Sequence, residues 1–311
     1  MALVKSDPNG AIKGRHEAAA SALRTATNLK PDEAPAHLQL GQIFINKKRW
    51  SDAQTSLQKY VALRPDDFSG QFNLALAFDF AGQFDRALAA YNIAASLQPR
   101  SAPVQNNIGR VFFKRENLDE AIARFRAALA LDGEFLDARN NLAIALSGKD
   151  DKAAATEWQN LLASAARTLR TLPTTSPTPA QSAQRAEISV RVASARAALA
   201  EHFMKTNRHA EAVKQYRELV KINPNNAGAH INLGLSLYYL RDYAGALSTF
   251  DAVIKRDPKN AVAYNNRGVV LEATKNKDQA LTAYKRAIEL RADYTDAKNN
   301  RDRLLSTTAV S

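Results

Sequence analysis

Residue types recur every 34 positions along most of this 311-residue chain, and this regularity limits the architectures open to it. In each unit a small residue is followed three positions later by a large apolar residue and twelve positions later by alanine. The small residues are Gly41, Ala75, Gly109, Ala143, Ala200, Gly234 and Gly268. A unit of this length cannot bury its apolar side chains alone, so the units must stack on one another.

Each unit contains two stretches of apolar residues at helical spacing, separated by a short polar turn. The spacing predicts two amphipathic helices per unit, and therefore an all-α fold. A proline, which lacks an N–H donor, closes four of the units: Pro65, Pro99, Pro224 and Pro258. Short acceptors near the start of the second helix are predicted N-caps: Ser51, Asp85, Asp119 and Asp278.

These residues and their spacing resemble the tetratricopeptide repeat (TPR) family, whose helix–turn–helix unit is 34 residues long. The resemblance implies a right-handed superhelical solenoid of antiparallel helix pairs. It also implies a protein that binds a peptide or a protein segment in a concave groove. Nearly the whole chain is covered, so the pattern identifies the fold, but it does not identify the partner.

The repeat phase divides the chain into five parts. They are an N-terminal partial repeat (1–33), a first TPR block (34–169, with repeats from 34, 68, 102 and a degenerate one from 136), an insertion (170–192), a second TPR block (193–294, with repeats from 193, 227 and 261) and a C-terminal capping helix and tail (295–311). In the last part Lys298, Arg301 and Asp302 replace apolar residues, which is typical of a terminal cap facing water.

The insertion contains a proline-rich segment, 171–179, between two apolar stripes of helical spacing. We predict two overlong helices, about 152–171 and 180–206, joined by a non-helical loop. Two interpretations of the region stay open. It is either a flexible linker between two blocks or a helical hairpin that protrudes from one continuous stack.

The sequence offers little for catalysis. The chain has no cysteine, which excludes a thiolate nucleophile, a Cys-ligated metal and a disulfide. It also lacks the phosphate-binding, nucleophile-elbow and H-E-x-x-H motifs. His37 and His230 stand at a packing position of the repeat, while His202 and His209 flank a helix–helix turn, so we expect structural roles for all four. We therefore predict no enzyme, no metal, no cofactor and no small-molecule substrate.

In TPR stacks the first helix of each repeat lines the groove, with repeat positions 2, 5, 6, 9, 12 and 13 beside the packing stripe. The sixth position is asparagine in six repeats: Asn73, Asn107, Asn141, Asn232, Asn266 and Asn300. A carboxamide donates and accepts hydrogen bonds at once, so such a row can hold an extended backbone. The row is similar to the asparagine ladder of the O-linked N-acetylglucosamine transferase superhelix. The alternative is that these amides only support the fold.

Other groove positions offer apolar or cationic contacts, and Phe72, Arg110, Lys114 and Tyr238 complete the predicted site. The carboxylate clamp of chaperone-binding TPR proteins is excluded, because no repeat carries its lysine at the second position. We predict a noncatalytic adaptor that supports a larger complex. The composition and repeat style resemble bacterial TPR proteins of envelope, pilus or secretion assembly.

The net charge of +12 is uneven, with +9 on residues 170–311 and +3 on residues 1–169. Binding of nucleic acid or an acidic partner by the basic half is therefore the alternative function, although no basic run supports nucleic acid. Arg170, Arg185 and Arg191 form a basic arm on the insertion, for docking or self-association. No apolar run reaches the ~20 residues of a membrane span. We expect a soluble protein, cytoplasmic or periplasmic if bacterial.

Overall fold

The computed structural model describes the backbone of residues 8–308 and the side chains of residues 17–306. The predicted N-terminal partial repeat and C-terminal tail extend past these limits, and residues 1–7 and 309–311 lie outside the described residues. Along the described backbone there are 16 α-helices and no β-strand, so the predicted all-α class is confirmed. Among the helices within those limits, none is both long and apolar enough to cross a membrane.

The chain forms two compact units, an N-terminal unit of residues 1–149 and a C-terminal unit of residues 150–311. The N-terminal unit contains α1 (Pro8–Leu29), α2 (Ala34–Asn46), α3 (Trp50–Leu63), α4 (Phe68–Phe80), α5 (Phe84–Leu97), α6 (Ala102–Lys114), α7 (Leu118–Leu131) and α8 (Leu136–Leu146). The C-terminal unit contains α9 (Asp151–Thr171), α10 (Pro179–Lys205), α11 (His209–Ile222), α12 (Ala227–Tyr239), α13 (Tyr243–Arg256), α14 (Ala261–Ala273), α15 (Lys277–Leu290) and α16 (Thr295–Thr308).

Within each unit, successive helices pack as pairs, and the recurrent small residues lie where the two helices of a pair meet. A Cβ atom built on Gly109 would lie 2.7 Å from Cε1 of Phe125, and one on Gly268 would lie 2.5 Å from Cε1 of Tyr284. Six of the recurrent alanines are fully buried: Ala53, Ala87, Ala121, Ala212, Ala246 and Ala280. The small residues thus permit the close packing that buries each apolar stripe.

A residue in the left-handed region of φ makes the tight turn between the two helices of a repeat. Six repeats place it at the same position: Lys48, Gly82, Glu116, Asn207, Arg241 and Lys275. The next residue closes the turn, as where the Arg49 amide donates to the Phe44 carbonyl at 2.8 Å.

This turn geometry corrects the predicted N-caps. Each predicted cap is the second residue of its helix and lies two positions after the observed N-cap: Ser51, Asp85, Asp119 and Asp278. In the repeat that begins at 102 the N-cap is Asn117, whose side chain accepts from the Glu120 amide. Carboxylates in the first turn still interact favourably with the helix dipole.

The insertion forms the two long helices that the sequence predicts, α9 and α10, and they pack against each other within the C-terminal unit. Trp158 and Leu161 of α9 and Ile188 and Ala195 of α10 are buried. Thr178 starts α10 with a capping box, in which its hydroxyl accepts from the Gln181 amide. The second helix of the degenerate repeat therefore lies in the same compact unit as the insertion.

Candidate functional site

The predicted asparagines occupy equivalent places on six first helices, α4, α6, α8, α12, α14 and α16. Five are half-buried, whereas Asn107 is only 7% exposed. In the N-terminal unit, Nδ2 of Asn141 donates to Oδ1 of Asn106 at 2.9 Å. Nδ2 of Asn106 donates in turn to Oδ1 of Asn107 at 3.4 Å. A chain of amides thus joins two neighbouring repeats.

The C-terminal unit contains the same arrangement. Nδ2 of Asn300 donates to Oδ1 of Asn265 at 3.0 Å, and Nδ2 of Asn265 donates to Oδ1 of Asn266 at 3.5 Å. The linking residues at the fifth position, Asn106 and Asn265, were not among the predicted site residues. The signal for them is the Asn-Asn dipeptide that occupies positions five and six of these repeats.

The remaining two asparagines also have internal partners. Nδ2 of Asn73 donates to the carbonyl of Ser69 at 2.8 Å. Asn232 lies beside the hydroxyl of Tyr216, and burial raises the pKa of this tyrosine to about 12. Five of the six amides therefore support the fold with at least one hydrogen bond. A carboxamide has two N–H donors and two acceptor lone pairs, so one internal bond leaves capacity for a bound segment.

A buried carboxylate holds the two predicted groove cations of the N-terminal unit. The Asp79 side chain is fully buried at the end of α4, at repeat position 12. Nζ of Lys114 lies 2.5 Å from its Oδ1, and a guanidinium nitrogen of Arg110 lies 3.6 Å from its Oδ2. A buried carboxylate is costly without such partners, so part of the positive charge is used within the protein.

Phe80 and Phe84 lie beside these cations, and Trp50 stacks on Phe80; we call these three rings the aromatic corner. The Trp50 and Phe80 rings stack with centroids 5.0 Å apart. The Arg110 guanidinium and the Lys114 ammonium each lie 5.8 Å from the Phe80 centroid, and Lys114 is equally close to Phe84. Such distances allow cation–π attraction. Phe80 is 41% exposed, so the corner reaches the surface.

A second carboxylate network lies in the C-terminal unit. Arg303 of α16 binds Glu272 of α14 with two nitrogens, at 2.5 and 3.1 Å. The Tyr284 hydroxyl donates to Oε2 of the same glutamate at 2.8 Å. Burial, followed by this hydrogen bond, raises the pKa of Tyr284 above its usual range. The bidentate geometry and the third bond give a neutral, fully connected network.

The two networks use the same repeat positions. Each pairs an acid at position 12 with an arginine at position 9 of the next repeat, 31 residues later: Asp79 with Arg110, and Glu272 with Arg303. Four other repeats have apolar residues at both places: Ile45 with Leu76, Phe113 with Ile144, Met204 with Leu235, and Tyr238 with Val269. The two acids were absent from the predicted site, and this 31-residue pairing of charge with charge is the signal that could have found them.

The two predicted aromatic contacts differ in their surroundings. Phe72 is half-buried, stacks on Phe68 at 5.6 Å and meets the Tyr91 ring edge-on at 5.9 Å, so most of its surface packs against the core. Tyr238 lies 5.5 Å from Tyr239, which is 55% exposed. The tyrosine pair therefore offers more open apolar surface than Phe72 does.

The arginines of the predicted basic arm bind atoms of the arm itself. The Arg185 guanidinium donates to the carbonyls of Leu172 at 2.7 Å and Leu169 at 3.3 Å, and thereby caps the C-terminal end of α9. Arg191 forms an ion pair with Glu187 at 2.9 Å. Nε of Arg170 donates to the carbonyl of Ala166 at 3.2 Å. Arg185 thus has a clear structural task in the hairpin.

Two histidines have the structural role expected from the sequence. Nε2 of His37 lies 2.9 Å from the Pro31 carbonyl, and Nε2 of His230 lies 2.9 Å from the Pro224 carbonyl. Both rings are buried. In each case the ring links a first helix to the loop that precedes it. Gln71 makes the same bond to Pro65 at 3.0 Å, so the contact belongs to the repeat and does not require histidine.

Family models described as tetratricopeptide repeat match residues 11–77, 72–133, 106–169 and 231–295, and one described as TPR repeat matches residues 201–240. No curated protein matches the chain.

Solved structures with similar folds cover most of the chain. YrrB, described as a TPR protein with an unusual peptide-binding site, is 21% identical over 68% of this chain and 98% of its own, with a TM-score of 0.54. The C-terminal part of a TPR repeat-containing protein from Cytophaga hutchinsonii is 13% identical over 85% of this chain and 98% of its own, with a TM-score of 0.65. A tetratricopeptide repeat protein from Parabacteroides merdae is 16% identical over 88% and 98%, with a TM-score of 0.51. These likenesses concern the fold.

Proposed function

Because this chain belongs to the tetratricopeptide repeat family, we propose that it is a noncatalytic adaptor that binds a peptide or protein segment along its first helices and supports assembly of a larger complex. The observation that carries the proposal is the row of six amides, five of them half-buried, that six first helices present at one repeat position. A carboxamide with one internal hydrogen bond still has a free N–H donor and acceptor lone pairs. A bacterial envelope, pilus or secretion complex is the setting that the composition and repeat style favour.

The C-terminal unit supports the proposal through its apolar groove positions. Asn232 and Asn266 stand at position 6 of consecutive repeats, on α12 and α14, and Tyr238 and Tyr239 lie at the C-terminal end of α12. Exposed tyrosines supply contact area at a low cost in side-chain entropy and are enriched in binding surfaces. An extended segment with apolar side chains would match amides and rings arranged in this way.

The absence of catalysis in the proposal is supported by how the polar side chains are used. His37 and His230 bind backbone carbonyls, and the acids at position 12, Asp79 and Glu272, are held in ion pairs. An acid–base catalyst needs a group that can exchange protons with a substrate. These groups instead stabilise the packing of neighbouring helices.

Selection from a phage-displayed library of random peptides on the immobilised full chain tests this function. We expect enriched peptides, and we expect Asn232→Ala with Asn266→Ala to weaken their binding by about 1 kcal/mol for each lost hydrogen bond. Asn225→Ala, in an exposed loop of the same unit, is the matched control. Circular dichroism should show an unchanged helix content. Enriched peptides that bind the double variant as tightly as the parent would place the site elsewhere.

Nucleic-acid binding by the basic C-terminal half receives less support, because many of its cations are already in ion pairs: Arg191 with Glu187, Arg208 with Glu211, Lys221 with Glu218, Arg267 with Asp251, Arg286 with Glu289, and Arg301 with Asp302. The test is the salt dependence of any binding. Contacts with many phosphates would lose roughly 10³-fold in affinity between low and moderate salt.

A further inference from the structure

The charge at the aromatic corner is unbalanced. One carboxylate, Asp79, faces two cations, Arg110 and Lys114. In the C-terminal unit the equivalent acid, Glu272, faces one cation, Arg303. The Asp79 network beside the aromatic corner therefore carries one positive charge more than the Glu272 network, and Lys114 is the additional cation.

The surplus charge is directed outward. The Asp79 side chain is fully buried, while the side chains of Arg110 and Lys114 are 30% and 35% exposed. The buried carboxylate binds one side of each cation, and the remaining N–H groups lie toward the solvent-exposed side. An ammonium group has three donors, and Asp79 takes one of them.

The rings beside these cations define the rest of the surface. Phe80 and Phe84 cover part of Lys114, so fewer water molecules hydrate the ammonium than would hydrate a free lysine. A carboxylate gains more from a partly desolvated cation than from a fully hydrated one. The exposed part of Phe80 can accept an apolar side chain next to that carboxylate.

We propose that the aromatic corner binds the side-chain carboxylate of an aspartate or glutamate, next to an apolar residue, within an extended partner segment. The carboxylate accepts hydrogen bonds from Lys114 and Arg110, and the apolar residue packs on Phe80. An internal acid is preferred to a chain terminus because groove positions continue on both sides of the corner, in the repeats that begin at 34 and at 136. The proposal rests on the peptide-binding function proposed above.

The test uses peptides enriched on the full chain from a random library, each resynthesised with its acids replaced by the matching amides. We expect an acid adjacent to an apolar residue in the enriched set, and about tenfold weaker binding after the amide replacement. Moderate salt should weaken the acidic peptide several-fold and leave the amide peptide nearly unchanged. A peptide whose only carboxylate is its C-terminus should bind as weakly as the amide form.

Two variants of the protein should act in opposite directions. Lys114→Gln should weaken the acidic peptide about tenfold, whereas Asp79→Asn frees both cations and should strengthen it several-fold. The matched control is Lys205→Gln. Lys205 is an exposed lysine at the same repeat position as Lys114, but it does not lie beside the aromatic corner. It should leave the affinity unchanged. Thermal unfolding of each variant shows whether the fold is retained.

Outcomes that overturn the proposal differ from those that overturn peptide binding in general. Enriched peptides without acids, or equal effects of Lys114→Gln and Lys205→Gln, would refute the acid site alone. The acid site alone would also be refuted if both Asp79→Asn and Lys114→Gln weakened peptide binding while the chain stayed folded. Failure to enrich any peptide would refute the adaptor function and this site together.

Discussion

The networks around Asp79 and Glu272 lie at identical repeat positions in the two units but differ in their hydrogen bonds. The Asp79 network is open, because within the described part of the chain it contains buried polar atoms without a hydrogen-bond partner. The Glu272 network is closed, because both carboxylate oxygens are bonded. The longer glutamate side chain reaches the Tyr284 hydroxyl at 2.8 Å and binds Arg303 with both oxygens. Among the described residues, Oδ2 of Asp79 has no hydrogen-bond partner. The hydroxyl of the equivalent Tyr91 is buried without a well-formed hydrogen bond, and Asn107 is the polar group near it.

The two acids differ in length by one methylene group, and their hydrogen-bond networks differ accordingly. The shorter acid leaves the tyrosine unbound, and its fully buried carboxylate is held by two cations, Arg110 and Lys114. The longer acid satisfies its neighbours with a single arginine and remains 20% exposed. The two networks therefore differ in local net charge because of Lys114, a cation that the Glu272 network lacks.

The largest difference between the networks should appear when their cations are removed. Arg110→Gln with Lys114→Gln leaves Asp79 buried and unpaired, and should lower the free energy of unfolding by about 3–5 kcal/mol. Arg303→Gln should cost only about 1–2 kcal/mol, because Glu272 keeps its bond to Tyr284 and some hydration. Urea unfolding followed by circular dichroism measures both losses.

The control for this experiment adds Asp79→Asn to the double variant. Removing the buried charge should recover most of the lost stability, since the penalty arises from the unpaired carboxylate. Equal losses in the two units, or no recovery in the triple variant, would contradict the distinction between an open and a closed network.

A smaller effect is expected at alkaline pH. Burial raises the pKa of both Tyr91 and Tyr284 above the ordinary value of 10.0, so the folded chain keeps protons that the unfolded chain releases. Stability should therefore fall as the pH rises above about 10. Glu272→Gln removes an anion beside Tyr284 and should lower the pKa of that tyrosine, with Tyr91 unchanged. Tyrosinate absorbance, with Tyr284→Phe and Tyr91→Phe for assignment, measures the shift. A parallel change at Tyr91 would contradict independent networks.

The smallest expected effects concern the turns of the same two repeats. The repeat of Asp79 turns at Gly82 with φ 74°, and the repeat of Glu272 turns at Lys275 with φ 64°. Glycine adopts this conformation without steric cost, whereas other residues do not. Lys275→Gly should raise the free energy of unfolding by up to about 1 kcal/mol, and Gly82→Ala should lower it by about the same amount. Thermal melting of the two variants should shift in opposite directions.

The sequence predicts the backbone of this protein better than its polar contacts. The helix pairs, the buried alanines and the long α9 and α10 follow from apolar spacing, because burial of a stripe depends on the pattern and not on individual partners. The predicted caps, such as Asp85, were placed two residues too far along, since the left-handed turn that precedes the second helix has no fixed residue type. Here glycine, lysine, glutamate, asparagine and arginine all occupy it.

The polar contacts depend on residues from neighbouring repeats that are far apart in the chain. Lys114 was predicted as a free groove contact, but its partner Asp79 precedes it by 35 residues. Arg185 was predicted as a docking residue, and its bond to Leu172 depends on the bend of the hairpin. Roles in partner binding for the amide row and the basic arm stay predictions.

The amide chains have a mechanical consequence. Asn141 and Asn300 each donate to an asparagine one repeat earlier, so these bonds lie across the gap between adjacent first helices. Each amide keeps a second N–H, but an occupant that binds the N–H used between the helices must displace the internal bond. Binding in that mode is coupled to the spacing between the helices. By reciprocity, a pull that separates the two helices would alter affinity for the occupant. Within each unit, a change in the separation of the first helices would thus change the affinity of the amide row for a bound segment.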